Sequence, residues 1–158
     1  DGALGTPEAG AIVPKVEQKI REFPGKVIFT RDTHGERYLE TQEGKHLPVP
    51  HCIKGTKGWE ICPQLEALRE AEAIDKVTFG SEKLGELLQE ENRKEQIEDI
   101  TLVGLCTDIC VISNALLLNA FLPETPIIVD ASCCAGVTPK SHETALDAMR
   151  MCQINIER

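Results

Sequence analysis

Hydrophobic residues in this chain fall into short continuous runs, separated by longer segments where apolar and charged positions recur with helical spacing. Such runs read as strands buried on both faces, and the segments between them as helices. KVIFT (26–30) follows the turn signal Pro24-Gly25 and predicts a buried strand. AIDKVT (73–78), ITLVGL (100–105), PIIVDA (126–131) and INIE (154–157) predict four more. A first helix is expected over 6–23, with Thr6 as N-cap, Pro7 at its first position and an interruption at Pro14. Further helices are expected at 81–93, capped by Ser81, and at 139–152, capped by Thr138. The segment 108–121 is apolar nearly all round, as a deeply buried helix is. From Asp32 to Pro63 no clear element is visible.

This alternation predicts an α/β fold, a parallel sheet covered by helices on both faces in three layers. A length of 158 residues suits one domain, spanning 1–158. A chain of that size buries about two-thirds of its unfolded surface. The long loop leaves the C-terminal end of a strand, where ligands of open α/β sheets collect.

Composition narrows the function classes. Aromatics make up 4%, so the core must rest on aliphatic residues. A formal net charge of -9 argues against nucleic acid and against anionic lipid surfaces. Seven cysteines, an odd number without a CxxC pair, exclude a zinc ribbon and a thioredoxin motif and read as reduced thiols of a cytoplasmic protein. No apolar run approaches the length of a membrane span. DGALGTPEAG carries no basic region followed by an apolar stretch, so no secretory leader is expected.

Two segments carry candidate chemistry. In GLCTDICVISNA (104–115) a strand ends and an apolar helix begins, which puts Cys110 in a first helical turn. There free N–H groups and the helix dipole lower a thiol pKa, and the same N–H groups can hold an oxyanion. Cys106 and Cys110 equally suit small buried hydrophobes. The second segment, TRDTHGERYLETQEGKHLPVPHC (30–52), holds Asp32, His34, Glu40, Glu43, His46 and His51, including three of the four histidines. These N/O donors suit Zn²⁺, Fe²⁺ or Mn²⁺ better than Mg²⁺, and a solvated polar loop is the alternative.

G-L-C-T-D-I-C-V resembles the nucleophile segment of the isochorismatase-like cysteine hydrolases. The resemblance implies that Cys110 is the nucleophile, that the Leu105–Cys106 bond is cis, and that the Cys106 N–H is an oxyanion donor. Lys76 in AIDKVTFGSEKL resembles the family lysine, with Phe79 three residues on; Lys83 is the competitor in the same stretch. Phe79 is then either a substrate-facing ring or a core aromatic. Asp32-x-His34 and PVPHCIKGT resemble the nicotinamidase/pyrazinamidase branch. This implies a divalent metal, Zn²⁺ first with Fe²⁺ or Mn²⁺ as alternatives, held by Asp32, His34, Glu40 and His51, with His46 as the alternative third ligand. The implied activity is metal-dependent deamidation of nicotinamide, or of small pyrazinamide-like amides, through a thioester, in a homo-oligomer acting on small molecules. Rival readings are a metal-free hydrolase of ureido, carbamoyl or isochorismate-type substrates, and a catalytically inactive interaction module.

Two departures from the family pattern stand out. Pro48 occupies the position where nicotinamidases often carry an aromatic. The family's sheet has Rossmann-like order, with a central first strand ending in a D-x-Q-N-D-F-like motif whose first aspartate is the acid/base. That strand and that aspartate are missing from this sequence, Asp1 is not the aspartate, and the chain is expected to be N-terminally incomplete. SCCAGVTPKSHETALDAM (132–149) resembles the family's final strand–loop–helix. There His142 is expected to seat the helix N-terminus, and Cys133 and Cys134 to pack as small residues.

Overall fold

The first helix, α1 (Pro7–Glu22), begins as expected, with the Thr6 hydroxyl accepting the Ala9 N–H at 3.1 Å. The structure, a computed structural model, describes residues 2–158. Pro14 does not interrupt α1. The residues on this side of the helix, Gly10 and Pro14, are exposed, so water can satisfy the carbonyl that Pro14 leaves without a donor. The remaining elements are β1 (Thr30–Asp32), α2 (Gln42–His46), α3 (Pro63–Glu66), β2 (Ile74–Lys76), α4 (Glu82–Lys94), β3 (Ile100–Leu105), α5 (Ile112–Phe121), β4 (Ile127–Ala135), α6 (Pro139–Met151) and β5 (Asn155–Glu157). The expected elementless stretch from 32 to 63 resolves into short helical turns, including 3-10 turns at Tyr38–Glu40 and Lys57–Trp59.

The strands are all parallel, as expected, and form two sheets. β1 pairs with β2, and β3-β4-β5 form the other sheet. Between them runs a groove of about 440 Å³. Residues 26–30 line one side and 101–105 the other. Side chains alternate faces along a strand, so five consecutive lining residues on each side mean that backbone edges border the groove. The predicted strand over 26–30 accordingly shrinks to Thr30–Asp32; before it, the Phe29 carbonyl still accepts the Ile74 N–H at 2.8 Å.

Helices cover both faces. Leu84, Leu118, Leu146 and Met149 from α4, α5 and α6 pack with Ile127 and Val129 on one face, and Ile12 and Val16 of α1 pack against Cys133 and Ala135 on the other. The facing pattern of β4 changes parity between Ala131 and Cys134, because the β3–β4 register shifts between Leu102 and Gly104. Gly104 sits at that irregularity with φ +111°, a backbone conformation that favours glycine. Cys133 and Cys134 are buried, as packing residues should be. Among the described residues no helix is long and apolar enough to cross a membrane.

Candidate functional site

The parallel registers bring the chemistry to one end of the molecule. Asp32 and Lys76 are partners in the β1–β2 ladder and both end their strands, while β3 ends at Leu105 immediately before the cysteine turn. The Leu105–Cys106 peptide is cis, as the resemblance implied. A single π-helical turn, Thr107–Val111, then feeds α5, with the Cys106 carbonyl accepting the N–H groups of Ile109 and Val111 at 3.0 Å each. Cys110 lies in this turn.

Lys76 is buried, and its ammonium donates to an Asp32 carboxylate oxygen, to the Thr78 carbonyl at 3.3 Å and to Cys110 Sγ at 3.3 Å. The Asp32 oxygens stand 3.8 and 4.0 Å from the same sulfur. Asp32 thus joins the cysteine–lysine pair to the histidine cluster, a contact the sequence reading did not foresee. The thiol pKa does not fall as a first-turn position predicts. Burial pushes it up, and Asp32 adds to this, against the Lys76 ammonium and a hydrogen bond from the Cys106 backbone N–H. Burial alone would lower the Lys76 pKa, but the cysteine and Asp32 outweigh it and hold the ammonium charged. Cys52 and Cys106, nearby, are pushed up to about 11 chiefly by burial, so both are thiols at neutral pH.

Asp32, His34 and His51 present donor atoms that all lie within 4.8 Å of one another. The loop is pinned for this. The His34 N–H donates to the Cys52 carbonyl and the Lys54 N–H to the His34 carbonyl, both at 2.9 Å. His51 Nδ1 bonds the Val49 carbonyl at 2.8 Å, which leaves Nε2 as the free lone pair when Nδ1 carries the proton. His34 Nε2 is buried with no hydrogen-bond partner, although buried polar atoms normally have one. Tyr38, 1% exposed, packs its ring against both histidines at centroid distances of 4.8 and 5.0 Å. An orphaned imidazole nitrogen beside a second imidazole and a carboxylate fits a divalent cation of the zinc, iron or manganese type.

Glu40 is not part of this cluster. It ends a 3-10 turn on the exposed side, paired with Arg37. Glu43 faces the histidines instead, with Oε1 at 3.5 Å from Nε2 of both His34 and His51. The cause is local. Thr41 caps α2 by accepting the Gly44 N–H at 3.0 Å, and the new helical turn carries Glu43 inward. Gly44 permits it, since a Cβ there would stand 2.1 Å from the Tyr38 carbonyl oxygen. His46, the alternative ligand, is exposed and bonds the Gln42 carbonyl. A helix-start signal, Thr41 followed by Gln42 and Glu43, was present in the sequence and marks this choice.

Phe79 is 42% exposed, so it is no core aromatic; it stands on the loop after Lys76. His142 does seat its helix, bonding the buried Thr107 hydroxyl through Nδ1 at 2.8 Å, and the Asp108 carboxylate accepts the Val137 N–H at 3.1 Å. These two contacts dock the start of α6 on the cysteine turn. Asn114, which the sequence reading left aside, bonds to Phe79, Ser81 and Cys110.

Known proteins resemble this chain in sequence and in fold. The chain is 29% identical over 156 residues to an uncharacterized isochorismatase family protein of Bacillus subtilis (strain 168), covering 92% of this chain and 84% of that one. It is 26% identical over 174 residues to a nicotinamidase/pyrazinamidase of Mycobacterium tuberculosis (strain ATCC 25618 / H37Rv), covering 98% and 89%. Among solved structures, a pyrazinamidase of Pyrococcus horikoshii in complex with zinc superposes with a TM-score of 0.76 at 26% identity, over 99% of this chain and 89% of that one. A nicotinamidase/pyrazinamidase of Bacillus subtilis gives a TM-score of 0.74 at 27% identity, over 98% and 88%. The isochorismatase domain profile matches residues 1–157, and with it the chain belongs to the isochorismatase family.

Proposed function

We propose that this protein is a metal-dependent cysteine amidohydrolase that deamidates nicotinamide, or a small pyrazinamide-like amide, to the acid and ammonia. The observation that carries the reading is the Cys110 sulfur, 3.3 Å from a buried ammonium and 3.8 Å from Asp32, which shares with His51 and the orphaned His34 nitrogen a donor set suited to a divalent cation. The kinship with proteins called nicotinamidase/pyrazinamidase supports the substrate class.

In this reading Cys110 attacks the carboxamide carbon. The Lys76 ammonium favours the thiolate by direct charge attraction. The proton leaves to an acid/base carboxylate, the role that the family resemblance gives to an aspartate not among the residues of this sequence; Asp32, 3.8 Å from the sulfur, is committed to the Lys76 ammonium and the metal set. The backbone N–H groups of Cys106 and Cys110 serve the developing oxyanion, and loss of one such donor costs about 3 kcal/mol in comparable sites. Ammonia departs with the returned proton, leaving a thioester to the cysteine. Water, deprotonated by the same carboxylate, hydrolyses it. Asp32, His34, Glu43 and His51 would hold a divalent metal, Zn²⁺ by the donor set, and such an ion supplies a Lewis acid that orients a pyridine nitrogen. Phe79, exposed on the loop after Lys76, would cover the ring. Seven unpaired cysteines support residence in the reducing cytoplasm.

The test is ammonia release from nicotinamide and pyrazinamide by the zinc-loaded protein and by Cys110→Ala. The variant should lose turnover and keep its metal content. Turnover retained by Cys110→Ala would refute the nucleophile, and a wild-type protein inert on both amides would refute the substrate.

A further inference from the structure

We infer that Asn114 is a positioning residue that holds segment 78–81, and through it Lys76, against the turn carrying Cys110. The inference rests on the reading of Cys110 as nucleophile and Lys76 as its partner.

Asn114 lies on α5, four residues after Cys110, and is 6% exposed. Its carboxamide makes three hydrogen bonds that join two segments, 78–81 and the turn carrying Cys110. Oδ1 accepts the Ser81 N–H at 3.0 Å, and Nδ2 donates to the Phe79 carbonyl at 2.9 Å and to the Cys110 carbonyl at 2.8 Å. Asparagine is suited to this because its short side chain offers two donors and an acceptor in one plane; aspartate offers no donor and leucine neither. Helix capping does not account for the arrangement. The Ser81 hydroxyl caps α4 unaided, accepting the Leu84 N–H at 3.2 Å.

What the three bonds join is specific. Lys76 belongs to the β1–β2 sheet and Cys110 follows β3 of the other sheet, and among the described residues no strand pairing connects the two. The Lys76 ammonium donates to the Thr78 carbonyl at 3.3 Å, and the Thr78 hydroxyl donates to the Gly80 carbonyl at 2.7 Å. Gly80 lies directly on α5: a Cβ there would be 3.2 Å from Leu117 Cδ2 and 3.5 Å from the Ser113 carbonyl oxygen. The short segment from Lys76 to Ser81 is therefore laid on α5 by contact and locked there by Asn114. With the lock removed, the ammonium loses its fixed height above the sulfur.

The experiment compares Asn114→Ala with Leu146→Ala, a fully buried core truncation on α6 that removes none of the Asn114 hydrogen bonds. Three quantities are read: melting temperature, the rate at which iodoacetamide alkylates Cys110 at neutral pH (followed by mass spectrometry in substrate-free protein), and kcat and KM for nicotinamide. The positioning role predicts that Asn114→Ala slows alkylation and lowers kcat by about tenfold or more, with metal content unchanged. Leu146→Ala should melt lower yet keep wild-type alkylation and kcat. If Asn114→Ala does not fold, Asn114→Ser carries the same test, since its hydroxyl can still bond the Cys110 carbonyl within the helix while both links to 79–81 are lost. Wild-type alkylation and kcat in the folded variant would overturn the inference. Slowed alkylation in a protein that does not deamidate nicotinamide would uphold the positioning role and sink the substrate assignment alone.

Discussion

Replacing Lys76 by methionine removes one charge from the centre of the site while keeping most of the stem's volume. The Lys76 side chain is 5% exposed, so water cannot take over its role. A unit charge 3.3 Å from the sulfur is worth about 5 kcal/mol at an effective dielectric constant of about 20. Part of this is returned, because the variant no longer buries an ammonium. If about half of the attraction reaches the transition state, kcat falls about 10²-fold. Asp32 loses its partner as well, which adds repulsion toward the thiolate in the same direction. The assay is steady-state ammonia release from nicotinamide by zinc-loaded protein, with KM, metal content and melting temperature measured alongside. The expected result is a low kcat, a nearly unchanged KM, and partial recovery of rate as pH rises, because alkali restores thiolate. A folded, metal-loaded Lys76→Met enzyme within threefold of wild-type kcat would refute the electrostatic account of the cysteine.

Three other perturbations separate the remaining claims. Glu43→Gln should lower stoichiometric zinc binding in equilibrium dialysis and Glu40→Gln should leave it unchanged, since only Glu43 faces His34 and His51; the reverse would restore the sequence-based ligand set. Gly44→Ala should weaken zinc binding and lower the melting temperature, because its Cβ would meet the Tyr38 carbonyl oxygen at 2.1 Å and force the turn carrying Glu43 to move; unaltered binding would show that the turn tolerates displacement. The Asp130 carboxyl is raised by burial but held below its ordinary range overall by Lys19 at 2.9 Å and by Ser132, so its contribution to stability is present above the ordinary carboxylate pKa and is lost as pH falls through the lowered one. Melting temperature should therefore drop less steeply below about pH 4 in Asp130→Asn than in wild type, and parallel curves would count against that pair.

Local signals carried most of the fold in the sequence. Thr6, Ser81 and Thr138 cap the helices they were expected to cap, because a hydroxyl satisfies N–H groups three residues away whatever surrounds it. The strands after residue 70 were legible as apolar runs, and the proximity of Asp32, His34 and His51 was implied by the resemblance of two short motifs to the nicotinamidase/pyrazinamidase branch. Interactions through space were not legible. Whether 26–30 forms a strand depends on a neighbouring edge, and the described chain pairs only Thr30–Asp32. Glu43 faces the histidines and Glu40 does not, because a helical turn begins between them. The thiol pKa of Cys110 rises where its place in the first helical turn argued for a fall, since burial and a carboxylate from another strand outweigh the nearby N–H groups. Asn114 reads in the sequence as one of three polar residues, with Ser113 and Asn119, in an apolar helix; only folding brings the Phe79 carbonyl and the Ser81 N–H, more than thirty residues away, within reach of its amide. Periodicity and capping are written along the chain, whereas charge, desolvation and hydrogen bonding depend on which distant atoms arrive within a few ångströms, and tertiary packing alone decides that.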